Sequence, residues 1–247
     1  MSGEKFRLFG GSNGSGKSLL INQISHLYDI GYCIYADGIE AELKRKGFVD
    51  CVRYFPGILT QADWARFTRT SLADSRFESV SLEGISIKEN FLVAGGGINS
   101  YHAAIIAEFF RELLLFQEAT FSFETVMSHP SKVEFWEKAS RQGFKTYLYF
   151  VCTPDPIVNV QRVQNRVAED GHGVLPSKIE ERYFKSLDLL PAAFSKADRA
   201  FIIDSQENHQ RVILEKNRGE VSTLSEDIPE WIVSRLLDKL DRPGTPG

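Results

Sequence analysis

Residues 6–20 read Phe6-Arg7-Leu8-Phe9-Gly10-Gly11-Ser12-Asn13-Gly14-Ser15-Gly16-Lys17-Ser18-Leu19-Leu20. Gly11 to Ser18 match the G-x-x-x-x-G-K-[S/T] pattern of a phosphate-binding loop at every fixed position. The flanks agree with it. Phe6 to Phe9 is an apolar run of strand length, and Leu19, Leu20, Ile24 and Leu27 leave the loop at helical spacing. The pattern needs that order of strand, loop and helix. Glycines let successive backbone N–H groups curl round a diphosphate, and the helix N-terminus adds partial positive charge. Gly11, Ser12, Asn13, Gly14, Ser15 and Gly16 would form the cradle, Lys17 would reach the β- and γ-phosphates, and the Ser18 hydroxyl is the candidate Mg²⁺ ligand. A glycine-rich turn that happens to carry a lysine is the alternative, and the strand and helix on either side speak against it.

The chain of 247 residues is long enough for one substantial core, or for one domain with an inserted piece. With 25% charged and 43% hydrophobic residues, its composition is that of an ordinary globular protein. A formal net charge of -4 argues against a general surface for long nucleic acid, which needs a basic excess or stripe. Cys33, Cys51 and Cys152 are odd in number and far apart, the pattern of buried thiols in a reducing compartment, so a cytoplasmic location is expected. None pairs with a histidine at metal-ligand spacing, so no structural zinc is expected. The charged N-terminus runs at once into the first strand, which leaves no room for a signal peptide. Ala103 to Phe116 is the longest greasy stretch, and Glu108, Arg111 and Glu112 interrupt it, so no membrane span is expected.

Beyond the loop helix, Tyr32 to Ala36 reads as a second strand stopping at Asp37-Gly38, and Ile39 to Lys46 as a polar helix closed by Gly47. Residues 50–97 break the rhythm. They hold one helix after Thr60 with Trp64 and Phe67 on a face, strand-like alternation from Ile85 to Val93, and Gly95-Gly96-Gly97; an insertion or substrate-side subdomain is expected. Tyr101 to Gln117 is a helix apolar around most of its circumference, and Ala119 to Phe123 is a third strand ending at Glu124. Ser131-Lys132-Val133-Glu134 and Ser177-Lys178-Ile179-Glu180 have the form of capping boxes. Between them lie a central strand, Lys145 to Cys152, and a helix opened by Asp155-Pro156 and running to about Asp170. Ala200 to Ile203 is a fifth strand ending at Asp204, Arg211 to Leu224 a hairpin turning at Asn217 to Gly219, and Pro229 to Leu240 an amphipathic helix. The expected fold is α/β: a three-layer P-loop NTPase/kinase fold with a mainly parallel five-stranded sheet, helices on both faces and an inserted substrate-side segment. It would be a single domain over 1–242, with a disordered tail over 243–247. In such a sheet ligands sit at the carboxyl ends of the strands, where the loop, Asp37 and Glu124 all fall.

Phosphoryl transfer needs a cradled γ-phosphate, a metal ion, a carboxylate that orients or deprotonates the attacking oxygen, and cations on the transition-state charge. Asp37 is the candidate general base; its plainer reading is a turn former before Gly38. Glu124 is the candidate for the metal's water shell or for the acceptor, against an ordinary polar residue at a strand end. Thr125 and Ser128 follow on the same loop as weaker acceptor contacts, since loop hydroxyls often only cap or turn. Arg162 and Arg166 stand at i and i+4 on a helix whose apolar face is Ile157, Val160, Val163 and Val167, so they project together from another side. Like charges at that spacing repel by a few tenths of a kcal/mol, roughly, which a bound polyphosphate would reverse. Arg182, one turn into the next helix, could reach across the loop to complete a cationic lid. Solvated pairs with Glu169, Glu180 or Glu181 are the alternative for each arginine. His172, between two glycines, reads as structural.

With these residues in view, the chain resembles the zeta-toxin family of P-loop small-molecule kinases. The resemblance rests on Gly11 to Ser18; on Ala36-Asp37 with Ile39-Glu40 and Glu42-Leu43; on Ser122-Phe123-Glu124-Thr125; and on Arg162-Val163 to Arg166-Val167, Gly171-His172, Val174 and Ile179 to Leu187. It implies phosphorylation of a hydroxyl of a small metabolite, in known members UDP-N-acetylglucosamine, from ATP or GTP with Mg²⁺. It also implies restraint by a small helical antitoxin. By the resemblance Asp37 is the base, Glu124 a substrate ligand, Lys17 and Ser18 the phosphate and metal ligands, and Arg166 and Arg182 the γ-phosphate clamp, with Arg162 the other candidate for Arg166's place. The chain departs from the founding toxins after Glu124, where a threonine and an arginine that hold the sugar nucleotide are replaced by Val126 and Ser128, and in Asp170-Gly171-His172-Gly173, where Gly-Gly-His-Asp is usual. A regulatory nucleotide-binding NTPase without a small-molecule acceptor is the alternative, and a nucleoside or polynucleotide kinase a third reading that the acidic balance disfavours.

Overall fold

The apolar run ahead of the phosphate loop is a strand, and its alternation decides what covers the sheet. In the computed structural model, which describes residues 3–71, 80–170, 174–206 and 209–240, the chain forms β1 (Lys5–Gly10), α1 (Lys17–Ser25), β2 (Tyr32–Ile34), α2 (Ala36–Lys46), β3 (Phe48–Asp50), α3 (Gln61–Ser71), β4 (Ile85–Lys88), β5 (Phe91–Ala94) and α4 (Ser100–Phe116). There follow β6 (Phe121–Thr125), α5 (Ser131–Arg141), β7 (Lys145–Cys152), α6 (Pro156–Asp170), α7 (Pro176–Lys196), β8 (Arg199–Gln206), β9 (His209–Asn217), β10 (Glu220–Thr223) and a last helix α8 over 230–240, with a π-turn at Val233–Leu237.

The larger sheet has seven strands in the order β10-β9-β8-β7-β1-β6-β2. The pairs β1–β7, β7–β8 and β2–β6 are parallel, and β8–β9 and β9–β10 antiparallel. The five strands read from sequence are all in it, and the hairpin extends it by two. The chain divides into two units, Met1–Ile30 with Glu124–Gly247, and Gly31–Phe123.

In the first unit β1 sends Phe6 and Leu8 to one face and Phe9 to the other, as a strand must. Phe6 meets Phe135 and Trp136 of α5 edge-on, with ring centroids 5.5 and 5.3 Å away. On the opposite face Phe9, Val151 and Ile203 pack with Leu20 of α1. Each face is thus covered by a helix. A fully buried side chain of this size contributes about 1.5–3 kcal/mol, so the two layers hold the strand that launches the loop. At the far end of the sheet, Asp198 Oδ2 accepts hydrogen bonds from the Thr146 backbone N–H at 2.8 Å and from its hydroxyl at 2.9 Å. Lys216 Nζ donates to the Phe194 and Ser195 carbonyls at 2.9 and 2.7 Å, a cation on the C-terminal end of α7.

In the second unit, β3, β5 and β4 form a three-stranded antiparallel sheet. Trp64 and Phe67 of α3 pack on Phe109 of α4, and Tyr54 stacks on Phe110.

Three local expectations change. β2 stops at Ile34 and α2 begins at Ala36, so Asp37 lies in a first helical turn rather than in a strand-end turn; a carboxylate there complements the helix dipole. Neither Ser131 nor Ser177 caps a helix, because α5 and α7 begin a residue or more too early, behind Pro130 and Leu175. A capping box forms instead at α4: Asn99 Oδ1 accepts from the N–H groups of Tyr101 and His102, and His102 Nδ1 accepts from that of Asn99. No helix among the described residues is long and apolar enough to cross a membrane. His172 and the tail 243–247 lie outside the described residues.

Two stability predictions follow from carboxylates of the first unit, Asp198 and the buried Asp204. Asp198→Ala leaves the fully buried Thr146 N–H and hydroxyl without their acceptor and should cost about 1–3 kcal/mol in urea unfolding; an unchanged midpoint would refute the lock. Asp204 is 2% exposed and accepts the Trp231 indole N–H at 3.1 Å. Burial pushes its carboxyl above the ordinary 3.8, against the pull of Trp231 and Arg211. With the folded value above the unfolded one, the wild type loses stability as pH rises from about 3.8 through the folded-state value. Asp204→Asn keeps the acceptor and cannot ionise, so its Tm should exceed that of the wild type at pH 7 and the gain should vanish in strong acid; equal Tm values at pH 7 would count against it.

Candidate active site

The phosphate loop is pressed from behind by its own unit. Gly11 has φ +139°, and a Cβ there would come 2.1 Å from the Val151 carbonyl of β7. Gly14 has φ +78°, with a Cβ position 2.6 Å from the Asn159 carbonyl of α6. Both glycines are therefore demanded by backbone closeness before any phosphate is considered. Gly16, left-handed at φ 100°, stands at the N-cap of α1, and no side chain caps the helix. Its first-turn N–H groups are left for a ligand.

Lys17 is 7% exposed and donates to the Ser12 carbonyl at 2.9 Å, while its Nζ lies 3.8 Å from Glu124 Oε1. Ser18 Oγ lies 3.4 Å from both carboxylate oxygens of Glu124. The penultimate residue of β6 is thus set between the loop's lysine and its hydroxyl. Hydroxyl and carboxylate are the hard oxygen donors that suit Mg²⁺, an ion usually held by one or two protein groups plus phosphate oxygens and water. Among the described residues no group of three or more His, Cys, Asp or Glu could hold a metal alone. The donor set fits an ion that arrives with a polyphosphate.

The loop's outer side is held by α6, α7 and the β8–β9 pair. Arg162 Nη1 donates to the Gly14 carbonyl at 3.4 Å and to Ser205 Oγ at 3.1 Å, and Nη2 to the Ser205 carbonyl at 3.3 Å. Arg182 Nη1 donates to Asn13 Oδ1 at 3.3 Å. Gln210 Nε2 donates to the Gly16 carbonyl at 2.8 Å. Asn159 is fully buried, and its Nδ2 donates to Ser12 Oγ at 2.6 Å and to the Asn13 carbonyl at 2.7 Å.

Burial corrects the reading of α6. Ile157, expected on the apolar face, is 57% exposed, while Asn159 and Val163, one turn apart, are the buried pair. The helix is turned so that a polar residue faces inward, because the loop behind it offers partners that satisfy the amide. The two arginines then part: Arg162 staples the loop, and Arg166 is exposed with no hydrogen bond or ion pair among the described residues. Thr125 Oγ1 accepts the Met127 N–H at 3.1 Å, a turn-forming role, and Ser128 is half-buried. Asp37 is exposed and belongs to the second unit. Sequence reasoning passed over Asn159, Ser205 and Gln210. An amide amid an otherwise apolar turn, Val158-Asn159-Val160, was the available signal for Asn159; the other two carry none, because they reach the loop through sheet register.

No protein-family model and no curated protein matches the sequence. Solved structures do match it. The AvrRxo1-ORF1:AvrRxo1-ORF2 complex with sulphate ions superposes with a TM-score of 0.52 at 14% identity, over 90% of this chain and 61% of the matched one. The AvrRxo1-ORF1:-ORF2 structure with ATP gives 0.53 at 12% identity, over 99% and 65%. The PezAT chromosomal toxin-antitoxin system of Streptococcus pneumoniae gives 0.50 at 9% identity, over 96% and 80%. The chain therefore spans less than two thirds of the length of the AvrRxo1 chains that it matches. Identities this low speak to architecture alone: the chain shares with these structures the α/β fold expected from its sequence, a mainly parallel sheet with helices on both faces.

Proposed function

We propose that this chain is a kinase that moves the γ-phosphate of ATP or GTP, with Mg²⁺, to a hydroxyl of a small metabolite, a nucleotide sugar such as UDP-N-acetylglucosamine being one candidate acceptor. The observation that carries the reading is the convergence of Lys17 Nζ and Ser18 Oγ on the Glu124 carboxylate at the start of α1. The ATP in one AvrRxo1 structure and the resemblance around Ser122-Phe123-Glu124-Thr125 support it.

Backbone N–H groups of the loop and of the first turn of α1 hold the phosphates. Lys17 places its charge on the β- and γ-phosphates, and Ser18 with Glu124 would hold the metal and its water shell. Mg²⁺, when bound, neutralises charge between the phosphate oxygens. Asp37 accepts the acceptor hydroxyl's proton as that oxygen bonds to the γ-phosphorus and the bond from that phosphorus to the β,γ-bridging oxygen breaks, releasing the nucleoside diphosphate, and Arg182, with Arg166 as second clamp, balances the charge on the transferring group. Thr125 and Ser128 lie on the acceptor side. A small helical antitoxin is the proposed protein partner, in keeping with the partner named for PezAT.

The test is mass spectrometry of nucleotide sugars and other hydroxylated metabolites incubated with ATP or GTP and Mg²⁺. The wild type should yield an acceptor heavier by one phosphate, and Asp37→Asn should slow this by about 10²–10⁴-fold with nucleotide affinity unchanged. Nucleotide binding without any phosphorylated acceptor, and unaffected by Asp37→Asn, would instead mark a regulatory nucleotide-binding protein.

A further inference from the structure

We infer that Asn159 is the residue that sets the shape of the phosphate loop, and that it ties this loop to the helix carrying Arg182 through a buried polar relay. The inference rests on the nucleotide-binding part of the proposed function and adds a positioning residue that touches neither phosphate nor metal.

The amide is spent on both sides. Its Nδ2 donates to Ser12 Oγ at 2.6 Å and to the Asn13 carbonyl at 2.7 Å. Its Oδ1 accepts from the Thr153 hydroxyl, which also lies 3.1 Å from the Asp155 carbonyl. The Thr153 carbonyl accepts from the Tyr183 hydroxyl at 2.8 Å. Tyr183 directly follows Arg182, whose guanidinium donates to Asn13 Oδ1 at 3.3 Å. A closed circuit results: loop tip, α6, the end of β7, α7, and back to the loop tip. Asn159, Thr153 and Ser12 are at most 1% exposed and Tyr183 is 2% exposed, so the bonds among these four are made where water has little access, while Asn13 and Arg182, which close the circuit, are half-buried.

The orientation of the amide is fixed by chemistry. A backbone carbonyl can only accept, so the Asn159 atom facing the Asn13 carbonyl must be Nδ2, which leaves Oδ1 for the Thr153 hydroxyl. By engaging the Asn13 carbonyl from outside, Asn159 turns that peptide's oxygen away from the hollow of the loop. Because a peptide is planar and trans, the N–H on the other side of the bond, that of Gly14, is turned the opposite way. The neighbouring Ser12 carbonyl accepts from the Ser15 N–H at 3.2 Å and from Lys17 Nζ at 2.9 Å. The proximity of Gly14 to the Asn159 carbonyl, 2.6 Å from its Cβ position, leaves the loop little room to relax.

The test is calorimetric binding of ATP and of inorganic tripolyphosphate, each with Mg²⁺, to the full chain and its Asn159→Asp variant. An aspartate keeps size and the Thr153 bond but places an oxygen against the Asn13 carbonyl. The affinity of the folded variant, checked by circular dichroism, should fall for both ligands by the same factor, about 10–100-fold; an equal loss for a ligand with no base locates the defect in the loop. If Asn159→Asp fails to fold, Thr153→Val removes the hydroxyl that orients the amide and should weaken both ligands about 3–10-fold. Unchanged affinity in the folded variant overturns the inference, as does a loss confined to ATP. A wild type that binds neither ligand would sink the nucleotide reading itself, a different failure from a variant that binds as well as the wild type.

Discussion

Everything at the carboxyl end of this sheet depends on one close approach, the phosphate loop lying against the backbone of β7 and α6. A methyl group at Gly11 would stand 2.1 Å from the Val151 carbonyl, and one at Gly14 would stand 2.6 Å from that of Asn159. Backbone packed so tightly can keep its N–H groups directed at a ligand only if its carbonyls are bound elsewhere. Those of Ser12, Asn13, Gly14 and Gly16 accept from Lys17, Asn159, Arg162 and Gln210. The loop is preorganised in the sense that matters for binding a polyanion: its dipoles are oriented before the charge arrives.

This explains which parts could be read from residues alone. The loop, its strand and its helix are local, set by glycine positions and apolar spacing within fifteen residues, and they stand as expected. Glu124 was reachable too, since a strand followed by an acid at the ligand edge of a parallel sheet is a topological argument. Asn159 was not, because the same three-residue spacing that marks Ile157, Val160 and Val163 as a face says nothing of whether a polar residue between them will find partners 147 positions away. Ser205 and Gln210 depend on the register of β8 against β9, where Ser205 pairs with Gln210, and register is set by the sheet as a whole. The failed capping boxes have a simpler cause. Ser-x-x-Glu states a preference, and Pro130 and Pro176 start their helices earlier than the serines would.

Residues 50–97 look irregular in sequence because their regularity is in pairing. β3, β4 and β5 have three or four residues each, too short for a clear period-two signal. Trp64 and Phe67 of α3, and Tyr54 after β3, meet Phe109 and Phe110 of α4, partners more than forty positions away in sequence.

The charge balance is resolved at the loop rather than over the whole surface. For a chain with a net charge of -4 to bind a polyphosphate, as proposed, cations must gather at the site. Lys17, Arg162 and Arg182 all donate to loop atoms, with Glu124 as the carboxylate set against them. Lys17 lies 3.8 Å from the Glu124 carboxylate, whereas among the described residues the partners of Arg162 and Arg182 are carbonyl, hydroxyl and amide groups, which satisfy hydrogen bonds without cancelling the field. Arg162 shows the division of labour: bound to Gly14 and Ser205, it cannot follow a transferring phosphoryl group, yet it still adds a fixed positive charge behind the loop. Under the proposed kinase reading, a mobile clamp has to come from an arginine with fewer bonds. Arg182, held by one long contact to Asn13 Oδ1, and Arg166, exposed on the next turn of α6, meet that requirement.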